Sequence, residues 1–461
     1  MRPVMLSQLA TWCEGRHLGG DVEIRAVGTD TRALAPGVLF VALRGENFDA
    51  HDFIAEAEAK GATALLLHRD LDSDLPRVLC ADTQEALGEI AAGMQKERSG
   101  VVIALTGSNG KTSVKTLVTG ILSKAGRTYC NPGNTNNEIG LPLAVLDAPE
   151  DAEFAIYEMG AGKPGDIAYL ASSVPPQVAL VNNIAPAHLE RMGSLLGIAE
   201  TKGAIYEALP DDGVAVINAD DAFAAYFASI AGGRRKLRFG IDNDADVRGE
   251  RIAQADGASR FTLHTPAGSA EILLPLPGRH NVLNALAASA LALAAGAPFA
   301  AIVEGLRHAE PVKGRQIAHI LANGAVLIDD SYNANPGSVA AAIATLVQAS
   351  GEPWLVLGDM KELGDGAAQL HAEMGLRAKQ AGLDRLWTIG ELSREASASF
   401  GTGARHFLDQ ETLIAALRSE LHSGVRCLVK GSRSSAMDNV VAALLAETVL
   451  TKNVEETGHA A

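Results

Sequence analysis

Short apolar runs alternate with longer stretches that carry apolar residues every three or four positions along most of this chain. The first kind reads as buried strand and the second as a helix burying one face. Over residues 1–98, VEIRAVGTDTR, VLFVAL, ATALLL and RVLCAD read as strands, and AHDFIAEAEAKG and ALGEIAAGMQKER as helices. Over 99–312, strands are expected at Val101–Leu105, Glu153–Tyr157, Val178–Ile184 and Val214–Asn218. Residues 236–277 break into strand-like pieces and turns that predict an antiparallel excursion, before PGRHNVLNALAASALALAAG resumes a helix. Over 313–461, strand and helix alternate from AVLIDD to AMDNVVAALLAETVL, the pattern of a parallel sheet with helices on its faces, and the tail NVEETGHAA reads as frayed. The fold class is therefore α/β in three domains, bounded at 1–98, 99–312 and 313–461.

Between the first strand of the middle domain and its first helix lies Gly107-Ser108-Asn109-Gly110-Lys111-Thr112-Ser113. Glycines let successive N–H groups converge on one point, and the helix start adds partial positive charge, so the stretch suits a phosphate. Lys111 would meet the outer phosphates of a nucleotide, and Thr112 or Ser113 would offer a hydroxyl to Mg²⁺. The strict phosphate-loop pattern wants another glycine where this chain has Leu105, so the loop is a shortened one. Without its flanking strand and helix it would read as an ordinary glycine turn.

Ligands of open parallel sheets sit beyond the carboxyl ends of the strands. Glu158 and His188 follow strands and fall on the same rim as Lys111, where a carboxylate and an imidazole suit a metal; a hydrogen-bonded loop histidine is the plainer reading of His188. Lys202 stands in the apolar stripe of SLLGIAETKGAIYEAL, with Ile198, Ile205, Tyr206 and Leu209 beside it. An inward lysine is costly unless paired or modified, although its stem alone could pack while the head reaches water. Asn281 and Asn284 share a helix face, placed either to read a nucleotide or to cap the helix. Asp330, Asn333, Asn335, Asp359, Lys430, Ser432 and Arg433 give the third domain a polar rim suited to a small ligand. Thr31, Arg32 and Arg44 follow strands of the first domain, with His51 beyond; unaided, they read as a turn with solvated charges.

The formal charge of −16 over 461 residues argues against nucleic acid or anionic membrane as a partner. Cys13, Cys80, Cys130 and Cys427 are scattered without metal-ligand spacing and read as free thiols of a reducing cytoplasm. No signal-peptide core and no membrane-spanning run is read, so a cytoplasmic protein without membrane insertion is expected.

Together these stretches resemble the Mur ligase family, the ATP-dependent amino-acid-adding enzymes of bacterial cell-wall synthesis. Thr106–Thr112 matches the family's own shortened loop. Glu158, His188 and Lys202 match its metal-site residues. Gly278-Arg-His-Asn-Val-Leu-Asn284, Gly314-Arg315 and Asp329–Pro336 match its nucleotide and linker motifs. The resemblance implies a central P-loop-type parallel sheet flanked by a small N-terminal α/β domain and a C-terminal Rossmann-like α/β domain. Asn134–Pro142, Ser331–Pro336 and Gly358-Asp-Met-Lys-Glu-Leu-Gly364 are similar to the branch that adds D-alanyl-D-alanine to UDP-N-acetylmuramoyl-tripeptide. The D-N-P-R signature of the diamino-acid-adding branch is missing.

The resemblance further implies ATP and one or two Mg²⁺ as cofactors, with Thr112 and Glu158 on the first ion and His188 and Lys202 serving a second. Lys202 would be carbamylated. Asn281, Arg315 and Asp330 would grip the nucleotide. Thr31, Arg32 and Arg44 would take the uridine diphosphate end, and Thr135, Asn136 and Asn137 would lie along the muramoyl-peptide path. Asn333, Asn335 and Lys430 would meet D-Ala-D-Ala. A monomer is expected, with movement around Pro311–Gly314 closing the site. The alternatives are a relative with another amine donor, including folylpolyglutamate- or cyanophycin-type ligases, and a nucleotide-dependent regulator that hydrolyses ATP slowly.

Overall fold

The computed structural model describes residues 1–45, 47–255 and 257–446, so the expected tail and the end of the last helix lie outside the described residues. Three sheets organise the chain, with a separate short ribbon pairing Val4–Met5 with Glu23–Ile24. The first sheet has five strands, in the order Arg16–Leu18, Arg77–Leu79, Ala64–Leu67, Val38–Val41, Ala26–Gly28. Only Arg16–Leu18 runs antiparallel to its neighbour.

The central sheet has nine strands. From one edge they run Thr128–Cys130, Phe154–Glu158, Val101–Thr106, Val178–Val181, Val214–Asn218, Arg235–Gly240, Val247–Ala255, Ala258–Thr265, Gly268–Leu274. The expected antiparallel excursion needs one correction. Arg235–Gly240 is parallel to Val214–Asn218, and Val247 pairs with it in the same direction, so the sheet turns antiparallel only after Val247–Ala255. Local periodicity shows which face is buried but carries no sign of the partner's direction.

The last sheet has six strands, in the order Ile317–Ile320, Val326–Asp330, Val425–Lys430, Glu352–Gly358, Arg385–Ile389, Ala404–Phe407, parallel except at the Ile317–Ile320 edge. A final helix runs over 437–446 as far as the described residues extend. Among those residues, no helix is long and apolar enough to cross a membrane.

The apolar packing divides unevenly. Helix Thr83–Lys96 of the first domain buries Ala86, Leu87, Ile90, Ala91 and Met94 in one continuous cluster with Leu141, Tyr157, Leu170 and Ile205 of the central domain. Polar bonds reinforce that seam: Arg98 donates to the carbonyls of Val145 and Ala148, and the Tyr169 hydroxyl to the carbonyl of Gln84. The two clusters around the C-terminal sheet contain only C-terminal residues.

Candidate active site

The strand Val101–Thr106 is buried from Val102 onward and delivers the chain to the rim at Gly107. Gly107 and Gly110 take φ of 152° and 77°, which L side chains rarely adopt, so the loop requires glycine at both positions. At Gly110 a Cβ would also stand 2.5 Å from Asn284 Oδ1. Helix Lys111–Leu122 follows, with its N-terminus facing the cleft. Burial pushes the Lys111 ammonium below its ordinary value against the pull of Glu158, and its Nζ donates to the Gly107 carbonyl at 2.8 Å.

Around this loop lies a cavity of about 1010 Å³ with walls from the central and C-terminal domains. It brings together Ser108 through Ser113, Asn136, Asn137, Glu158, His188, Asn281, Arg315, Asp330, Asn333, Asn335 and Lys430. Asn281 and Asn284 are both buried, and Asn281 donates to the Pro277 carbonyl, so it does not cap the helix Arg279–Ala294. Arg315 stacks over the Tyr332 ring at 4.5 Å and donates to Thr112 Oγ1 at 3.2 Å. Asp330 accepts from Lys430 Nζ at 2.8 Å; burial raises its carboxyl while the ammonium draws it back down. Lys430 also donates to the Asn333 carbonyl and is nearly sealed from solvent, so its charge is already engaged inside the C-terminal domain.

Glu158 is 2 % exposed at the end of its strand. One oxygen accepts from Asn136 Nδ2 at 3.0 Å; the other, Oε2, is buried without a hydrogen bond and lies 3.5 Å from Lys115 Nζ. A buried carboxylate oxygen left unsatisfied beside a hydroxyl-bearing phosphate loop fits a divalent cation, which takes oxygen ligands. His188 has φ 57° and its Nδ1 lies 2.5 Å from Glu362 Oε2, across the boundary between central and C-terminal domains. Burial lowers the imidazole pKa, and Glu362 opposes the shift.

Lys202 is 1 % exposed in helix Leu195–Glu207, confirming its inward direction. It is not itself among the residues that line the cavity, and Ile198, Ile205 and Tyr206 of the same helix are buried with it. Burial drives its ammonium well below the ordinary lysine value; Lys111 adds to the shift and Asp166 opposes it.

Three models of the Mur ligase family match this chain. The Mur ligase middle domain covers residues 105–292, the glutamate ligase domain 315–433, and the family catalytic domain 23–95. The chain is 46% identical, over 96% of its length and 99% of the relative's, to UDP-N-acetylmuramoyl-tripeptide--D-alanyl-D-alanine ligase of Escherichia coli K12. The chain belongs to the Mur ligase family. The ligase of that same description from Haemophilus influenzae is 37% identical over 95% of this chain and 97% of its own. The crystal structure of MurF from Acinetobacter baumannii superposes with a TM-score of 0.92 at 35% identity, covering 97% of this chain and 99% of that one. MurF from Thermotoga maritima in complex with ADP superposes with a TM-score of 0.84 at 28% identity, covering 93% and 98%.

In this Mur ligase several expected residues stand apart from the cavity. Thr31 donates to Glu56, Arg32 is paired with Asp30 and largely exposed, and Arg44 sits in an isolated bridge with Asp49. Thr135 turns back to the Pro132 carbonyl, while its neighbours Asn136 and Asn137 do line the cavity. Two further residues, Lys115 and Glu362, stand at this site without a role read from the sequence. Lys115 is 4 % exposed and donates to the carbonyls of Asn131 and Gly133; its signal was a lysine one turn after Lys111 beside an apolar stripe. Glu362 lay inside the GDMKELG stretch, but nothing local linked it to His188.

Proposed function

We propose that this chain is an ATP-dependent ligase that joins D-alanyl-D-alanine to UDP-N-acetylmuramoyl-tripeptide, giving the pentapeptide precursor of peptidoglycan with ADP and phosphate. The observation that carries the reading is the meeting, in one cavity, of loop residues Ser108–Ser113 with the Asn333–Asn335 rim of another domain. A carboxylate and an amine do not condense in water, so the carboxylate must first be activated. The tripeptide's terminal carboxylate oxygen attacks the γ-phosphorus and ADP leaves, giving an acyl phosphate. The amine of D-Ala-D-Ala then attacks the acyl carbon, phosphate leaves, the nitrogen gives up a proton, and an amide remains.

The first step brings anion to anion. Two unit charges 4 Å apart repel by ~4 kcal/mol at an effective dielectric near 20, about three powers of ten in rate. Lys111 and the N–H groups of the loop offset that repulsion. Thr112 and Glu158 would hold one Mg²⁺, and His188 and Lys202 would serve a second; bound there, the ions neutralise developing phosphate charge. A buried lysine whose amine form is favoured is a nucleophile toward CO₂, and the carbamate it forms, after losing a proton, is an oxygen ligand. We assign that modification to Lys202. Arg315 and Asn281 hold the nucleotide, Asn136 and Asn137 the peptide path, and Asn333 and Asn335 the donor side. Asp330 braces Lys430 behind them. The UDP end is assigned to the first domain near Thr31, Arg32 and Arg44, which the acceptor reaches by lying along the cleft.

The test is phosphate release with ATP, Mg²⁺ and UDP-N-acetylmuramoyl-tripeptide, with and without D-Ala-D-Ala. Release that depends on the dipeptide, with a product heavier by that dipeptide, is expected. Release with another amine donor instead would move the specificity.

A further inference from the structure

The GDMKELG stretch carries no residue with a role in the proposed reaction, yet it is firmly held in the C-terminal domain. The Asp359 carboxylate accepts the N–H groups of Leu392 at 3.1 Å and Ser393 at 2.9 Å, and Lys361 Nζ at 3.1 Å. Its carbonyl accepts the Ser432 and Ser435 hydroxyls. The Met360 N–H donates to His371 Nε2 at 2.9 Å, and Met360 and Leu363 are both buried in the C-terminal core. Between those two anchors the chain turns outward at Glu362, with φ 62°.

What it turns toward is His188. Glu362 Oε2 lies 2.5 Å from His188 Nδ1, the Glu190 N–H faces the Glu362 carbonyl at 3.5 Å, and Gly364 packs beside Glu190. Both partners of the pair are non-glycine residues in the left-handed region, at 57° and 62°. Such conformations are strained for residues with a Cβ and persist where surroundings over-determine them. A carboxylate can only accept, so the proton between them belongs to Nδ1, and in the neutral imidazole Nε2 is then left with its lone pair. A histidine whose second nitrogen is to bind a cation or a substrate group needs this tautomer, and a carboxylate on the other nitrogen is the usual way to set it.

We propose that Glu362 is a positioning residue for the ligase reaction: carried by the C-terminal domain, it holds His188 of the central domain in the Nδ1–H form, so the imidazole is set for chemistry only when the two domains are docked. This rests on reading the chain as a ligase. It gives the GDMKELG loop a task, which is to present one carboxylate to another domain from a rigid base. The Glu362 side chain is half exposed, so truncating it leaves the core intact.

The experiment uses the full chain with ring-¹⁵N histidine, as wild type, E362A and E362Q, with H188Q to assign the resonance. In wild type without nucleotide, His188 is expected as the Nδ1–H tautomer. E362A should shift it to Nε2–H or an average, and should lower kcat for D-Ala-D-Ala-dependent phosphate release by about 10–100-fold, with KM for ATP changed by less than about twofold. E362Q, whose amide oxygen can accept the same hydrogen, should regain the tautomer and part of kcat. An unchanged tautomer in E362A would overturn the proposal, as would kcat within about twofold of wild type. Equal loss in E362A and E362Q with the tautomer retained in E362Q would also overturn it, since it would leave Glu362 as a bare charge at the interface. If wild type releases no phosphate, the ligase reading falls, while the tautomer measurement still decides whether Glu362 sets His188.

Discussion

The side-chain amide of Asn335 does two things at once. Its Oδ1 accepts the Ser338 N–H at 2.9 Å, capping helix Pro336–Gln348, and its Nδ2 donates to Asn109 Oδ1 on the phosphate loop at 2.7 Å. One planar group thereby ties the start of a C-terminal helix to the tip of a central-domain loop, so the Gly107–Ser113 loop and the Asn333–Asn335 rim are referenced to each other.

Asn335→Asp and Asn335→Ala should separate the two tasks. Aspartate keeps the cap but loses the donor toward Asn109, so it should keep the urea midpoint near wild type and raise KM for ATP several-fold. Alanine loses both and should cost about 1 kcal/mol as well. Urea titration and initial rates against ATP concentration distinguish them.

Lys202→Ala should lower activity by more than about 100-fold, beyond the 10–100-fold that loss of an outer-shell metal partner produces, because its carbamate is proposed as a direct ligand. Bicarbonate together with a short carboxylic acid should restore part of it, because a diffusible carboxylate can take the place of the carbamate. Activity close to wild type would remove Lys202 from the mechanism.

Lys115→Met should be costly in another way. It would leave two backbone carbonyls without their buried donor and Glu158 without the ammonium 3.5 Å away. Removing one member of a buried pair costs about 3–5 kcal/mol. Adding Glu158→Gln removes the stranded charge, so the double variant should unfold at higher urea than the sum of the singles predicts.

His280 gives the fold a pH dependence of known sign. Burial, aided by the Lys430 charge, pushes its pKa down to about 4 from 6.5. Between those values the unfolded chain binds a proton that the folded chain refuses, so stability is present above the upper value and is lost as pH falls through the window. His280→Asn should reduce the loss of unfolding free energy between pH 7 and pH 5 by about 1–2 kcal/mol, read as the difference between paired urea titrations.

The alternating C-terminal pattern was legible because its inner strands are buried on both faces and so are apolar throughout, as in Leu355–Leu357 and Leu428–Val429. The phosphate loop was legible because two glycines with positive φ leave no substitute. Short edge strands such as Thr128–Cys130 and Arg16–Leu18 are too brief and too polar to show a period. Helix Thr83–Lys96 was found, but not that it is wedged between two domains, although burial of Gly88, Ala92 and Gly93 as well as its stripe is the mark of that position. Lys202 could be singled out from its own helix. Glu362 could not be assigned, since its partner is a loop histidine far away in sequence and no local pattern records a contact between domains.

The apolar clusters also divide this molecule into separable parts. The first two domains share one continuous core, whereas among the described residues no buried apolar cluster crosses from the central to the C-terminal domain. Side-chain bonds such as Arg315–Thr112, Asn335–Asn109 and Glu362–His188 bridge that second boundary. A cut in the 311–314 connection would therefore expose little greasy surface, and each piece would keep its own interior. A cut near residue 98 would tear one interior in two. For anyone building chimaeras, the C-terminal domain is the piece to exchange as a module, whereas the first domain and the phosphate loop must travel together.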